Sequence, residues 1–247
     1  MMGTLYQYFH LLEEVKDMKK RYLRNISTLT PDENEKLKDF RVCIIGCGGL
    51  GGYIVEMLAR IGIGHLTVVD MDIFDESNLN RQILSTERNL GYSKSKEAKV
   101  RVNNINSDIN VTIIEDGFSE ENGMEIIRHH NVVVDALDNI ESRFLLQKYC
   151  KKLSIPLVHG AIGGWFGQVC TIMPGDDTLN KIYKRDYVGI ENKLGNPSFT
   201  PANIASIQVS EVIKVLLSKG DILQNKMLII DLLYNEFNII NPNLSLF

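Results

Sequence analysis

Gly46-Cys-Gly48-Gly49-Leu-Gly51 follows an apolar run of strand length, Arg41-Val-Cys-Ile-Ile, and opens a helix-forming segment; Asp70 stands nineteen residues beyond Gly51. In that setting glycines let the backbone approach phosphate oxygens, the helix amino terminus offers free N–H groups, and the acid accepts ribose hydroxyls. This fingerprint alone leaves a dinucleotide and ATP both open.

The residues downstream favour ATP. Asp70-Met-Asp72 is followed by Asn78 and Arg81, then by Lys94 and Lys96, then by Asp138-Asn139 with Arg143 a helical turn further on. A dehydrogenase needs one carboxylate for its ribose and has no evident use for Arg81, Lys94 and an acid after a fourth strand. A triphosphate has use for both, since cations neutralise its charge and an acid holds Mg²⁺. Each charge alone reads as an ordinary solvated side chain; together, at the ends of successive strands, they read as a site.

The elements that must position these residues follow from periodicity. Leu5, Phe9, Leu12, Val15 and Met18 recur at helical spacing, predicting an amphipathic helix over 5–24, and a short helix is expected near 32–38. Strands are expected at 41–46, 65–70, 111–115 and 132–137, alternating with helices after Gly46, near 93–106 and at 120–129. Such alternation predicts an α/β fold, a Rossmann-like doubly wound sheet whose amino-terminal half is parallel. Past Pro156 the order changes to strands at 156–159 and 168–173, a helix at about 203–218, and strands at 227–233 and 236–240. This half is expected to be mixed or antiparallel. The chain is read as one domain over 1–247: a helical arm to residue 40, a nucleotide-binding half over 41–150 and a second half over 151–247. The segment 176–201 is longer than connections usually found inside a compact domain and is expected to be functional.

Composition narrows the classes. The 247 residues carry 27 Lys and Arg against 31 Asp and Glu, a net charge of −4, which supplies no basic stripe for a nucleic acid and no polybasic membrane anchor. The long uncharged stretch from Leu153 to Gly175 is interrupted by glycines, Pro156, Pro174 and His159, and reads as two strands joined by Gly160-Ala-Ile-Gly-Gly164 rather than a membrane span. Acids near the amino terminus break any secretory apolar run, and a cytoplasmic setting is expected. Cys43, Cys47, Cys150 and Cys170 form no CxxC pair, which argues against a zinc ribbon or a CxxC redox motif.

With these residues assembled, the chain resembles the ThiF/MoeB/HesA adenylyltransferases, relatives of ubiquitin-activating enzymes. The resemblance runs from about Arg21 to the carboxyl terminus. It rests on GCGGLG, the VVDMD-x5-NLNRQ block, Lys94, DALDN-x3-R, and the PLVHGA, GQV and MPG strands. It implies that Gly46, Gly48, Gly49 and Gly51 form the nucleotide turn, with Gly49 in contact, that Asp70 binds ribose, and that Asp72 belongs to the same site. It further implies that Asn78, Arg81 and Lys94 contact phosphates, that Asp138 holds Mg²⁺, and that Asn139 and Arg143 complete the pocket. Arg21-Tyr-Leu-Arg24-Asn looks like the family's RYxRQ-type segment, whose second arginine reaches the partner's ATP across a homodimer. The implied substrate is the carboxylate of a small ubiquitin-like sulfur carrier ending in Gly-Gly, activated as an acyl-adenylate.

The chain also departs from that pattern. Many members bind zinc through two CxxC pairs, but neither Met173–Tyr183 nor Asn241–Phe247 holds a cysteine or histidine, so no zinc is expected. Lys193-Leu-Gly-Asn-Pro-Ser-Phe-Thr-Pro201 lacks the cysteine that some members use for a covalent carrier intermediate. All four cysteines, Cys47 included, read as packing residues. His159 reads as a hydrogen-bonded structural histidine, and Trp165 and Phe166 as either core or carrier-groove residues. Competing functions are activation of a peptide carboxylate or of threonylcarbamoyl-adenosine in tRNA, a non-catalytic ATP-binding scaffold, and an NAD-dependent oxidoreductase.

Overall fold

Alternate residues of each buried strand face opposite sides of a sheet, and here both sides are apolar. Val42 and Ile44 of β1 (Arg41–Ile45) point into one core with Leu66 and Val68 of β2 (His65–Val69); Cys43 and Ile45 point into the other. The structure, a computed structural model, is described for residues 18–183 and 194–242. After β2 come β3 (Asn110–Ile114), β4 (Val132–Asp135), β5 (Leu157–Gly163), β6 (Phe166–Ile172), β7 (Met227–Asp231) and β8 (Glu236–Ile240). They form one eight-stranded sheet in the order β3-β2-β1-β4-β5-β6-β7-β8. Pairing is parallel from β3 through β5 and antiparallel from β5 through β8, as the sequence predicts.

The helices are α1 (Pro31–Leu37), α2 (Gly49–Ile61), α3 (Lys94–Ile105), α4 (Gly123–Ile127), α5 (Ile140–Leu153), α6 (Leu179–Ile182) and α7 (Phe199–Leu217). α1 starts on a capping box, Thr30 with Glu33, and carries Pro31 at its first position. The core around Val42 and Leu66 takes α2, α3 and α7, with Ile54, Leu58, Val102 and Val212 all buried. The opposite core takes α4 and α5 through Ile127, Leu146 and Cys150. Among the described residues no helix is long and apolar enough to cross a membrane, and the uncharged stretch from Leu153 falls in β5 and β6.

Several expectations change. Residues 20–25 form a 3₁₀ turn, and most of the helix expected over 5–24 lies outside the described residues. β5 runs straight through Gly160 and Gly163, so the glycine-rich connection contracts to a turn at Gly164 and Trp165. Gly160 is small for packing reasons: a Cβ there would lie 2.3 Å from the Gln208 side chain. α5, absent from the expected elements, is capped by Asn139, whose Oδ1 accepts from the Ser142 N–H. α7 begins four residues earlier than expected, and of the segment 176–201 residues 184–193 lie outside the described residues.

Glu56 is the main polar tie between α2 and α3. Its buried carboxylate takes the Arg101 Nε at 2.6 Å and the Arg60 Nη2 at 2.6 Å. Burial alone would raise its pKa, but the two guanidinium partners hold it below the usual glutamate value. Glu56→Gln is expected to cost about 2 kcal/mol at pH 7. Because the native pKa is depressed, the ionised group's contribution is complete above the unfolded-state pKa and is lost as pH falls through the native one. Urea denaturation should therefore show parent and variant converging in acid, and a gap unchanged from pH 7 down to pH 3 would contradict this.

Candidate active site

β1 leads to β2 on one side and β4 lies on the other, so the chain reverses its direction of travel across the sheet between β1 and β4. A crevice opens at the carboxyl ends of strands at such a point. The glycine turn fills its floor. Gly46 has φ +96°, and a Cβ there would sit 2.5 Å from the Ala136 carbonyl; on Gly51 it would sit 1.9 Å from the Gly46 carbonyl. Gly49 differs, since a Cβ there meets only ordinary contacts, Pro201 at 3.6 Å and Arg81 at 3.9 Å. α2 begins at Gly49 with no side chain among the described residues capping its first N–H groups, which leaves them available to an anion.

A cavity of about 330 Å³ lies over this turn, and Gly46, Gly48 and Gly49 form part of its wall. Gly51 lies behind it, as a packing residue of the turn. Asp70 ties the turn to the chain leaving β2: its Oδ2 accepts from Cys47 N–H at 2.6 Å and its Oδ1 from Asp72 N–H at 2.8 Å. Burial raises the Asp70 pKa against the pull of those two donors. Asp72 meets Lys94 at 2.9 Å, and the Lys94 side chain, only 8% exposed, is delivered to the cavity at the start of α3. Arg81 is held by the Ser77 carbonyl and Asn80 Oδ1, both at 2.9 Å, and among the described residues it has no carboxylate partner.

Asp138 and Asn139 stand on the opposite wall, in the loop from β4 to α5. Asp138 is exposed, and no described side chain engages it. That is the donor expected of an acid kept for a cation. Arg143 also lines the cavity but is almost completely buried. It donates to the Leu137 carbonyl at 2.6 Å and lies over the Tyr183 ring at 5.7 Å, so it braces the loop as well as facing the pocket.

Two predicted residues are placed elsewhere. Asn78 does not line the cavity; its Oδ1 accepts from the Asp75 N–H at 3.1 Å and closes the 3₁₀ turn that carries the chain toward Arg81. Arg24 is exposed on the 3₁₀ turn of residues 20–25. That turn is anchored by Asn106 donating to the Tyr22 hydroxyl at 2.6 Å and by Lys19 with Asp108 at 2.6 Å. Both contacts precede β3, at the amino ends of the strands, whereas the cavity lies at their carboxyl ends.

Sequence reasoning also missed participants. Gln82 is 6% exposed and lines the cavity, and its Oε1 has no partner among the described residues. Its position beside Arg81 was visible, but a glutamine gives no charge signal. His159, read as a structural histidine, is fully buried, with Nδ1 2.6 Å from Asp135 Oδ2, and burial pushes its pKa down. The four cysteines are buried and unbridged, and burial raises the thiol pKa of each, Cys47 included. Trp165 and Phe166 are 43% and 45% exposed, with the Trp165 ring 4.5 Å from that of Phe199, so they are surface residues of the antiparallel half.

An open α/β sheet with a glycine-opened helix, three cations and four acids around its switch point defines a nucleotide-binding enzyme. The chain belongs to the ThiF family, whose model matches residues 22–245. It is 34% identical over 217 residues to the SAMP-activating enzyme E1 of Haloferax volcanii, covering 85% of this chain and 80% of that protein. It is likewise 34% identical over 228 residues to a molybdopterin-synthase adenylyltransferase of Haemophilus influenzae, covering 90% and 93%. The crystal structure of E. coli MccB with ATP shares the fold, with a TM-score of 0.79 at 24% identity over 93% of this chain and 73% of that one. The chain is an adenylyltransferase.

The two kinds of glycine give a test. Gly51→Ala is expected to lower the melting temperature of the nucleotide-free protein by several degrees, through the clash with Gly46. Gly49→Ala should leave that temperature within about a degree but weaken the upward shift produced by ATP. Equal behaviour of the two variants in a thermal-shift titration would contradict the division of roles.

Proposed function

We propose that this enzyme adenylates the carboxyl-terminal Gly-Gly of a small ubiquitin-like sulfur-carrier protein. A carboxylate oxygen attacks the α-phosphorus of ATP, the bond to the β-phosphate bridging oxygen breaks, and acyl-adenylate and pyrophosphate result. The observation that carries this reading is the convergence on one cavity of the uncapped start of α2, buried Lys94, Arg81 and exposed Asp138. Relatives named as sulfur-carrier adenylyltransferases in Bacillus subtilis and Thermus thermophilus support the choice of acceptor.

No covalent nucleophile is required, so catalysis reduces to orienting two anions and cancelling their charge. Asp70, fixed by two main-chain donors, holds the ribose hydroxyls. The α2 N–H groups receive phosphate oxygens, with Gly48 and Gly49 keeping the approach clear. Arg81 and Lys94 stabilise charge on the departing pyrophosphate, and Lys94 does so from a site where burial strengthens its field. The exposed, unengaged Asp138 carboxylate fits a divalent cation, with Asn139 beside it. Mg²⁺ bound there would supply Lewis-acid neutralisation of the phosphates. Arg24 lies at the far end of its own sheet, so its contribution to a cavity requires a second copy of the chain, in a homodimer. No zinc is assigned, since the two segments that would hold it lack thiols and imidazoles. A cytoplasmic, reduced setting fits the four unbridged cysteines.

A second reading has its own observation: 40% identity over 140 residues to a tRNA threonylcarbamoyladenosine dehydratase of Haemophilus influenzae. That match covers only 56% of this chain. A net charge of −4 is poor provision for a tRNA backbone, so the protein acceptor is preferred.

ATP–pyrophosphate exchange with Gly-Gly-ending carriers separates these readings. Asp138→Ala is expected to lower carrier-dependent exchange at least about a hundredfold with the fold intact, and exchange at the parent rate would contradict the site. Mixing inactive Arg24→Ala with inactive Asp138→Ala should restore about a quarter of the parent activity if subunits reassort into two-fold dimers. No recovery on mixing would contradict action in trans.

A further inference from the structure

The loop that carries Asp138 is held from beneath by buried side chains. Asp135, the last residue of β4, is fully buried, and its Oδ1 accepts from the Leu137 N–H at 2.9 Å. Arg143 donates to the Leu137 carbonyl from the other side. Both main-chain groups of the residue preceding Asp138 are thus bonded to buried side chains of opposite charge. Gln208 of α7 adds a bond to the Asp135 carbonyl at 2.8 Å.

A buried carboxylate keeps one geometry only when both its oxygens are met. The Oδ2 of Asp135 lies 3.8 Å from Arg143 Nε, beyond hydrogen-bond range, and 2.6 Å from His159 Nδ1. His159 faces it across the ladder as its register partner on β5. The tautomer follows from the far side of the ring. The Tyr183 hydroxyl lies 3.1 Å from His159 Nε2 and the Gln168 amide nitrogen 3.4 Å from it, and the amide nitrogen can only donate. Nε2 is therefore an acceptor and Nδ1 carries the proton given to Asp135.

We infer that His159 is a positioning residue for adenylation: its Nδ1–H fixes the Asp135 carboxylate, which with Arg143 sets the loop that presents Asp138 to the nucleotide's divalent cation. This rests on the reading of Asp138 given above. The alternative is that His159 only fills volume between β4, β6 and the chain at Tyr183. The two differ in which replacement they tolerate. The amide nitrogen of asparagine can take the place of Nδ1, at the cost of a smaller side chain; glutamine restores more volume but moves its donor toward Tyr183.

The test measures ATP affinity by calorimetry with Mg²⁺ and with EDTA, the ratio being the increment due to the cation. Asp138→Asn should abolish that increment. His159→Gln should reduce it about tenfold, the usual effect of losing a group behind a metal ligand, while His159→Asn keeps it within about twofold. Hydrogen–deuterium exchange of peptides spanning 136–139 in the nucleotide-free protein should rise in His159→Gln and match the parent in His159→Asn. Where His159 variants do not fold, the double variant Tyr183→Phe/Gln168→Leu, which removes both groups facing Nε2, should lower the increment in the same direction. An increment abolished by Asp138→Asn but unchanged in His159→Gln, or in the double variant, overturns the inference alone. So does a loss in His159→Asn as large as in His159→Gln. An increment untouched by Asp138→Asn overturns the reading of the site together with the inference.

Discussion

At Gly46 the chain leaving β1 passes against the chain leaving β4, with no space for a side chain between them. A Cβ on Gly46 would press on the Ala136 carbonyl at 2.5 Å, and one on Gly51 would press on the Gly46 carbonyl at 1.9 Å. This contact sets the start of α2 beside the loop of Asp138, so that the open N–H groups of the helix and the exposed acid face one cavity. The pairing of β1 with β4 places the two chain exits side by side, and the glycines let them touch. Were either glycine replaced, the two walls of the site would separate.

Around that contact the charges are held in place before any ligand arrives. Asp70 is fixed by the N–H groups of Cys47 and Asp72, Lys94 by Asp72, and Arg81 by the Ser77 carbonyl. Fixed dipoles and ions of this kind stabilise developing charge without reorganising during the reaction. The arrangement is suited to moving an adenylyl group between two anions, a reaction whose barrier is chiefly one of repulsion and alignment. It also explains why four buried, unactivated cysteines are no obstacle to the proposed step.

The parts legible in the sequence were those with a local signature. Alternating strands and helices gave the parallel half, and Gly46–Gly51 followed by Asp70 gave the crevice, because backbone approach and helix polarity demand those residue types at that spacing. What was not legible depended on neighbours distant in the chain. Nothing near Asn78 shows that its amide is committed to the Asp75 N–H, nor does anything near Arg143 show that it is buried against Leu137 and Tyr183. Gly160 and Gly163 looked like a turn and belong to a strand, because Gln208 of α7 takes the space beside Gly160. Gln82 and Asp135 carry no local signal, because a glutamine beside an arginine, and an acid at the end of an apolar run, acquire meaning only with the cavity in view.

The central claim is that a carboxylate attacks the α-phosphorus of ATP in this cavity, and the fate of one oxygen atom tests it most directly. A Gly-Gly-ending carrier labelled with oxygen-18 in its terminal carboxylate would be incubated with enzyme and Mg·ATP, and the product cleaved with hydroxylamine. The account predicts AMP carrying one labelled oxygen, since the attacking atom leaves with the phosphate when the acyl group is released. Unlabelled AMP, or ATP consumed only to ADP and phosphate, would contradict it.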